Sequence, residues 1–315
     1  MKYAVMIIAH KNKEQLIRLI KALDDKDIDV YVHLDKKWKI SENDIGDIKH
    51  AARRVTVLKK RISGFLDTWS LCHIAVELSK EAIGGGQYSY FILLSGQDYP
   101  IKSIDYIKRY LNSVYPKPII DCTPISKTNW IYSGFRWIRF HACYRFIDRI
   151  TESRRLRKIL RLPVYAVQAV VTFIMRSPYK RLTKIGCELY GGSAWWILPR
   201  QIIEMCIQEV EQNTKTVRAF KLKNTPEETF FQTMAMRSPL RNMIEVNDKD
   251  AVLQNCMTYA YFFDDQHAPT GHPYTLTADN LDMLLNRKEL FARKFDICED
   301  SKVLDMLDAH IKEGK

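Results

Sequence analysis

The sequence predicts an α/β fold built on a mostly parallel sheet. The first 125 residues alternate short apolar runs with helical repeats, the pattern of linked βαβ units. The composition is that of a chain with a substantial core: 46% hydrophobic, 27% charged, and only 12 Gly and 11 Pro in 315 residues. That balance excludes a disordered, fibrous or low-complexity chain. No internal repeat or flexible linker interrupts it, so residues 1–315 are expected to form one domain with three regions. These are an α/β half over 1–125, a basic and aromatic insertion over 126–190, and a second half over 191–315.

Tyr3–Ile8 reads as a buried strand. Leu16, Leu19, Ile20 and Leu23 then recur at i, i+3, i+4 and i+7, one face of a helix. Val30–Leu34 and Val55–Leu58 are the next strands. Leu71, Ile74, Ala75 and Leu78 mark a second helix, and Tyr90–Leu94 a fourth strand. A helix from Ser103 to about Leu111 and a fifth strand at Pro118–Cys122 complete the first half. Regular structure resumes with a strand at Ala194–Leu198, after which Pro199 opens a helix to about Gln212. Thr225 opens another, and Val303–Ile311 forms the last.

Charge and cysteine content narrow the function. A net charge of +12 calls for an anionic partner: nucleic acid, a membrane surface or a phosphorylated small molecule. Residues 127–184 carry fourteen Lys and Arg against Asp148 and Glu152, which accounts for the whole excess. The segment holds Trp130, Tyr132, Phe135, Trp137 and Phe140 interleaved with Arg136 and Arg139. It also holds an almost wholly apolar run, Leu162–Met175, flanked by basic residues. That run is shorter than the roughly 20 residues a bilayer span needs, leaving a buried helix or an element lying on anionic lipid. No contiguous nucleic-acid motif is present, and no nucleic-acid partner is expected. The seven cysteines are dispersed and never form C-x-x-C, against a disulfide framework or a zinc site. The chain opens on a strand with no signal-peptide core, so a cytoplasmic protein whose fold starts at residue 1 is expected.

Ligand sites of parallel sheets lie beyond the carboxyl ends of the strands. That rule selects His10 after the first strand, Asp35 after the second and the turn Ser95-Gly-Gln-Asp98 after the fourth. No G-x-G-x-x-G or G-x-x-x-x-G-K-[ST] loop occurs, and Gly84-Gly-Gly86 falls at the wrong end, which weakens a dehydrogenase or kinase reading. An Asp-x-Asp metal site after a strand is also missing, because Val32-His-Leu-Asp-Lys-Lys37 places lysine where the second carboxylate would stand. Asp25-Lys-Asp27, Asp27-Ile-Asp29 and Asp248-Lys-Asp250 have the spacing but read as solvated turns. No metal or other cofactor is therefore expected, and Lys or Arg would have to neutralise a phosphate leaving group.

Four features carry both a plain and a functional reading. Thr225-Pro-Glu-Glu228 has the spacing of a capping box, which spacing alone favours, while Glu228 could instead be a general base aimed into the cleft. Phe291-Ala-Arg-Lys-Phe-Asp296 pairs cations between aromatics or ends a helix. His10 and His33 could be satisfied interior histidines, and Asp98 only a turn residue.

Several segments, taken together and in order, resemble the core-2/I-branching β-1,6-N-acetylglucosaminyltransferase family, which includes peptide O-xylosyltransferases. They are Ile7-Ile-Ala-His10, Val32-His-Leu-Asp-Lys-Lys37, Thr68-Trp-Ser70, Phe91-Ile-Leu-Leu-Ser-Gly-Gln-Asp-Tyr-Pro-Ile-Lys102, Gly191-Gly-Ser-Ala-Trp-Trp-Ile197, Thr225-Pro-Glu-Glu228 and Leu290-Phe-Ala-Arg-Lys-Phe-Asp296. The resemblance implies a GT-A-like fold and an inverting, metal-independent transfer of a sugar, GlcNAc first and xylose or another sugar as the alternative. It implies a UDP-sugar donor and a glycan or lipid-linked glycan acceptor in cell-surface polysaccharide or glycoconjugate synthesis. Glu228 matches the family's catalytic base, and Lys294 its diphosphate-binding lysine. Ile8, Ala9, His10, Asp35, Lys36 and Lys37 match the uridine site.

Two departures stand out. Gly271-His-Pro273 replaces an upstream diphosphate arginine, making His272 the candidate substitute. Phe65-Leu66-Asp67 replaces a donor-site tyrosine. The luminal disulfides and anchor of animal members are also missing, so the resemblance is to a bacterial-type member. Arg136, Arg139 and Trp195 are the candidate acceptor contacts, and the basic insertion is expected on the acceptor or membrane side, touching an anionic inner membrane face peripherally. The alternative class is a non-catalytic protein that binds anionic lipid or nucleic acid.

Overall fold

The computed structural model describes residues 1–125 except 67, short pieces between 156 and 186, 188–246 except 224, 255–262 and 273–312. Its centre is a five-stranded sheet formed by β1 (Tyr3–Ala9), β2 (Ile28–Leu34), β3 (Val55–Val57), β4 (Tyr90–Ser95) and β8 (Ile197–Pro199). The order is β3-β2-β1-β4-β8; β1 to β4 are parallel, and β8 joins the edge antiparallel to β4. The predicted mostly parallel α/β fold is therefore the observed one.

Alternation along the strands explains why the sheet is covered on both faces. Tyr3, Val5, Ile7 and Ala9 of β1, with Tyr90, Ile92 and Leu94 of β4, enter one apolar layer. Ala4 and Met6, with Phe91 and Leu93, enter the other. The first layer is closed by α1 (Lys13–Ala22), α2 (Glu42–Lys49), α4 (Ile104–Val114) and, near the carboxyl end, α8 (Leu281–Leu285) and α9 (Lys302–Lys312). The second is closed by α3 (Trp69–Gly85), α5 (Arg200–Gln212), α6 (Thr214–Lys221) and α7 (Phe230–Arg237). Several of these helices start where the sequence supplies a cap. Ser41 and Asp44 form a reciprocal capping box on α2, Thr68 accepts from the Ser70 N–H on α3, and Ser103 accepts from the Tyr106 N–H on α4.

Two small sheets complete the architecture. One joins β5 (Asp98–Pro100), β10 (Phe291–Arg293) and β9 (Thr258–Ala260), in the order β5-β10-β9. The other pairs β6 (Thr123–Pro124) with β7 (Tyr190–Gly191). Three expectations are corrected here. Pro118–Cys122 is not a fifth sheet strand: Ile119 makes one antiparallel bridge to Ile197 and Cys122 one parallel bridge to Val246. β8 takes the edge beside β4, where Ile197 lies opposite Ile92, and this run meets β8 from its other side. Phe291–Asp296 is not a helix end, because Phe291–Arg293 is strand β10, paired on both sides. Thr225 does not open a continuous helix; a 3₁₀ turn at Pro226–Glu228 precedes α7.

Gly84 and Gly85 close α3 at the amino ends of the strands, where they line an open cavity of about 730 Å³ with Asp29, Tyr31, Val55 and Thr56. This is the end away from the predicted ligand edge. Among the described residues, no helix is long and apolar enough to cross a membrane. The described cysteines, 72, 122, 206, 256 and 298, are unpaired thiols.

Ile7 is fully buried at the middle of the sheet. Ile7→Ala should destabilise the protein by about 2–5 kcal/mol, read as a shift in the urea unfolding midpoint.

Candidate active site

The parallel register brings the predicted residues to one edge. Ala9 lies opposite Leu34 and Ile8 opposite Ser95, so the three chains leave the sheet side by side. The Asp35 N–H donates to the Ala9 carbonyl (2.8 Å) and the Gly96 N–H to the Ile8 carbonyl (2.9 Å), joining the turns beyond the strand ends. Gly96 fits closely there, since an added Cβ would lie 3.1 Å from the Ala9 Cβ. Ala9 is fully buried, whereas His10 and Lys36 are exposed.

Asp35 organises this edge rather than reaching into solvent. One carboxylate oxygen accepts from the Lys37 N–H (2.7 Å) and the other from the Gly64 N–H (3.0 Å). The Lys37 ammonium lies 3.7 Å from the Asp35 carboxylate, donates to the Gly64 carbonyl, and sits 4.2 Å from the centre of the Phe65 ring. Phe65, at the departure from the family's tyrosine, thus packs on a candidate donor lysine. His33 is an interior histidine: its Nε2 accepts from the Ile62 N–H at 2.9 Å, and burial lowers its pKa to about 4.

Positive charge gathers at the same edge. Desolvation lowers the His10 pKa; Lys11, Lys37 and Lys294 lower it further, and Asp35 opposes them. His10 is therefore a neutral imidazole beside three lysines at neutral pH. Lys11 is neutralised by Asp296 at 2.5 Å. Lys294 has no ion-pair partner among the described residues.

The backbone that places Lys294 is tightly specified. β10 runs antiparallel to β5 with Arg293 opposite Asp98. The Arg293 guanidinium lies 3.2 Å from the Asp98 carboxylate and 4.3 Å from the centre of the Trp195 ring. Asp98 is fully buried and also accepts from the Ser95 N–H at 2.8 Å, so it is more than a turn residue. Desolvation raises its pKa to about 6, with Arg293 and the Ser95 N–H acting against the rise. The Phe295 N–H donates to the Gln97 carbonyl at 2.8 Å. Buried Gln15 donates to the carbonyls of Gly96 (3.2 Å) and Phe295 (2.9 Å). Lys294 is thereby held against the Ser95–Asp98 turn, while Arg293 is spent on the scaffold.

Glu228 lies on the 3₁₀ turn. Its capping reading is corrected: Thr225 adopts a left-handed backbone (φ 47°) and its side chain makes no cap hydrogen bond. A left-handed cap residue points its side chain away from the N–H groups that a box must satisfy. Glu228 is half-buried, and desolvation pushes its pKa up to about 7, with Lys223 pulling it down. Lys223 was not singled out from the sequence. Its side chain is fully buried, its ammonium lies 3.4 Å from the Thr225 carbonyl, and burial lowers its pKa to about 7 against the pull of Glu227 and Glu228. The only local signal was a lysine two residues before Thr225, which sequence cannot tell from a surface lysine.

Gly191–Trp196 links the two halves of the site. Because β8 is antiparallel, this segment enters from the carboxyl ends of β1 to β4. The Gly192 N–H donates to the Glu228 carbonyl at 2.9 Å. Gln232 donates to the Ser193 carbonyl, and Trp195 meets Arg293. Trp195, expected on the acceptor side, is part-exposed with one face on that guanidinium. Arg136, Arg139 and His272 lie outside the described residues, as do Asp248 and Asp250. Asp25 and Asp27 share the Lys108 ammonium at 2.9 and 3.1 Å, as a surface turn would. Among the described residues, no three of His, Cys, Asp and Glu group closely enough to hold a metal ion.

The family model described as Core-2/I-Branching enzyme matches residues 3–284. The chain belongs to the core-2/I-branching enzyme family. Family membership and the mostly parallel sheet agree with the GT-A-like α/β fold expected from the motifs. Relatives of this chain include xylosyltransferase 2 of Rattus norvegicus, 22% identical over 319 residues, covering 98% of this chain and 34% of the relative. Human xylosyltransferase 1 is 21% identical, with 98% and 30% covered. The chain thus spans about a third of the length of the curated relatives it matches. Among solved structures, mouse xyloside xylosyltransferase 1 in its apo form is similar over 93% of this chain and 97% of its own, with 9% identity and a TM-score of 0.36. S. aureus TarS 1-349 in complex with UDP is similar over 71% of this chain and 55% of its own, with 10% identity and a TM-score of 0.33.

Gly192 is the tightest point of the site: an added Cβ would fall 2.1 Å from the Asp121 carbonyl oxygen. Gly192→Ala should therefore destabilise the protein by about 1–3 kcal/mol, measured as a lowered thermal midpoint.

Proposed function

We propose that this member of a glycosyltransferase family moves a sugar from a UDP-sugar to a hydroxyl of a glycan acceptor, with inversion and without a metal. The observation that carries the reading is a half-buried glutamate with a pKa near neutrality, on a segment tied to the lysine-rich edge of a parallel sheet. A base is most effective when its pKa lies near the working pH, since it must be ionised yet able to hold a proton.

In this reading Glu228 takes the proton from the acceptor hydroxyl as its oxygen bonds to the anomeric carbon. The bond from that carbon to the UDP oxygen breaks, and the leaving diphosphate keeps the electron pair. Lys294, with no competing carboxylate among the described residues, meets the developing negative charge; Lys37 and neutral His10 line the approach. Ile8, Ala9, Asp35 and Lys36 shape the uridine end, His272 adds to the diphosphate contacts, and Arg136, Arg139 and Trp195 face the acceptor. Fixed cations replace the charge a metal would supply. GlcNAc is the donor sugar proposed from the motifs. Xylose is the second reading, favoured by the xylosyltransferases among the relatives.

Glu228→Gln should keep the thermal midpoint but cut transfer by about 10²–10⁴-fold, the usual worth of general-base catalysis. In the unaltered protein kcat/KM should rise with pH through about 7, as the Glu228 carboxyl ionises. Lys223→Met removes the charge that favours the carboxylate, so the same limb should move to higher pH. Transfer at near-unaltered rate by Glu228→Gln would reject the assignment.

Lys294→Ala should lower kcat/KM for UDP-GlcNAc or UDP-xylose by about tenfold or more, the scale of one lost charge-stabilising contact, and EDTA should leave the rate unchanged. Strong EDTA inhibition, restored by a divalent ion, would replace the metal-free reading. Turnover compared across UDP-sugars decides the donor.

A further inference from the structure

The insertion joins two properties that a soluble surface rarely combines. Leu156, Ile159, Val167, Val170, Phe173 and Ile174 are exposed, Phe173 to 89% and Ile174 to 72%. Each is helical, and three of the five steps between them, 156 to 159, 167 to 170 and 170 to 173, are of three residues, a spacing at which helical side chains are neighbours. Scattered exposed apolar residues are ordinary, but several in register along one segment mark a contact surface. The same stretch of sequence, 127–184, carries the entire net charge of +12.

We propose that residues 156–174 dock on the surface of an anionic lipid bilayer, with Phe173 and Ile174 entering the headgroup–acyl boundary and the flanking Lys and Arg meeting lipid phosphates. The charge pattern selects this occupant. A second copy would set two segments of like charge face to face, which is repulsive. A nucleic acid would match the charge and leave the aliphatic row in water. An anionic bilayer satisfies both, with apolar burial and electrostatic attraction adding together. Leu162–Met175 is too short to span and long enough to lie in the interface. The insertion also runs directly into Tyr190–Gly191 and Gly192, which holds the Glu228 carbonyl, so docking places the candidate site beside the membrane.

The test is co-sedimentation of the full chain with vesicles of phosphatidylcholine containing phosphatidylglycerol, against vesicles of phosphatidylcholine alone. Binding is expected to the anionic vesicles only, at low salt, with release at high salt. The double variant Phe173→Asp/Ile174→Asp should bind about tenfold or more weakly, since it removes apolar insertion and adds repulsion. Both side chains are exposed, and an unchanged thermal midpoint shows that the variant is folded. Charge reversal at Arg154→Glu/Arg155→Glu should weaken binding independently. The proposal is overturned if the unaltered chain stays in solution with anionic vesicles at low salt. It is equally overturned if the aspartate variant binds as well as its parent, if the aliphatic row mediates dimerisation instead, or if oligonucleotide binds where vesicles do not. Vesicle binding is read without turnover, so its failure and that of the glycosyltransferase reading are separate.

Discussion

The Gly192 N–H donates to the Glu228 carbonyl while its α-carbon lies against the Asp121 carbonyl, and the rest of the site depends on that approach. Any side chain at 192 would wedge the two apart. From this contact the chain continues through Ser193, held by Gln232, to Trp195 against Arg293 and Trp196 buried beside Phe231. It then enters the central sheet as its antiparallel edge strand. One short segment thus ties a turn bearing a carboxylate to the strand that leads into Lys294, although the two are more than sixty residues apart in sequence.

The electrostatics follow from how each charge is housed. Asp98 and Arg293 neutralise each other out of solvent and fix the backbone that precedes Lys294. Asp35 gives both its oxygens to backbone N–H groups and shapes the edge. Lys11 is matched by Asp296. Lys37 is shared between Asp35 and the Phe65 ring. Glu228 and Lys223 are desolvated together, so each pulls the other back toward its charged form while burial pushes both toward neutrality. A protein interior tolerates such a pair when the charge is used or closely matched.

Much of the fold was legible because alternation and helical repeat are local. β1, β2 and β4 were found within two residues at either end, and the helix faces of α1 and α3 were read from apolar spacing. Burial on both sides of the sheet makes the strands continuous apolar runs, which signal strongly in sequence. The misread elements were those whose partner is remote. Pro118–Cys122 has strand composition, but its neighbours are Ile197 and Val246, and β10 is a strand because Asp98–Pro100 and Thr258–Ala260 flank it. The capping box failed for a local reason that spacing does not encode, the left-handed backbone at Thr225.

The sequence by itself determined the α/β class and the family, and it picked out the strand ends that the parallel register brings side by side, because strand periodicity and ordered motifs are written along the chain. It also located the whole positive excess in one insertion. Only the tertiary structure decided which charges remain available. Arg293 and Lys294 are adjacent and look alike in sequence, yet the pairing of β10 with β5 turns the first onto Asp98 and leaves the second without an ion-pair partner among the described residues. Likewise only folding made Lys223 a buried neighbour of Glu228. Burial and pairing are properties of contacts between distant segments, and those are set by packing rather than by any one stretch of residues.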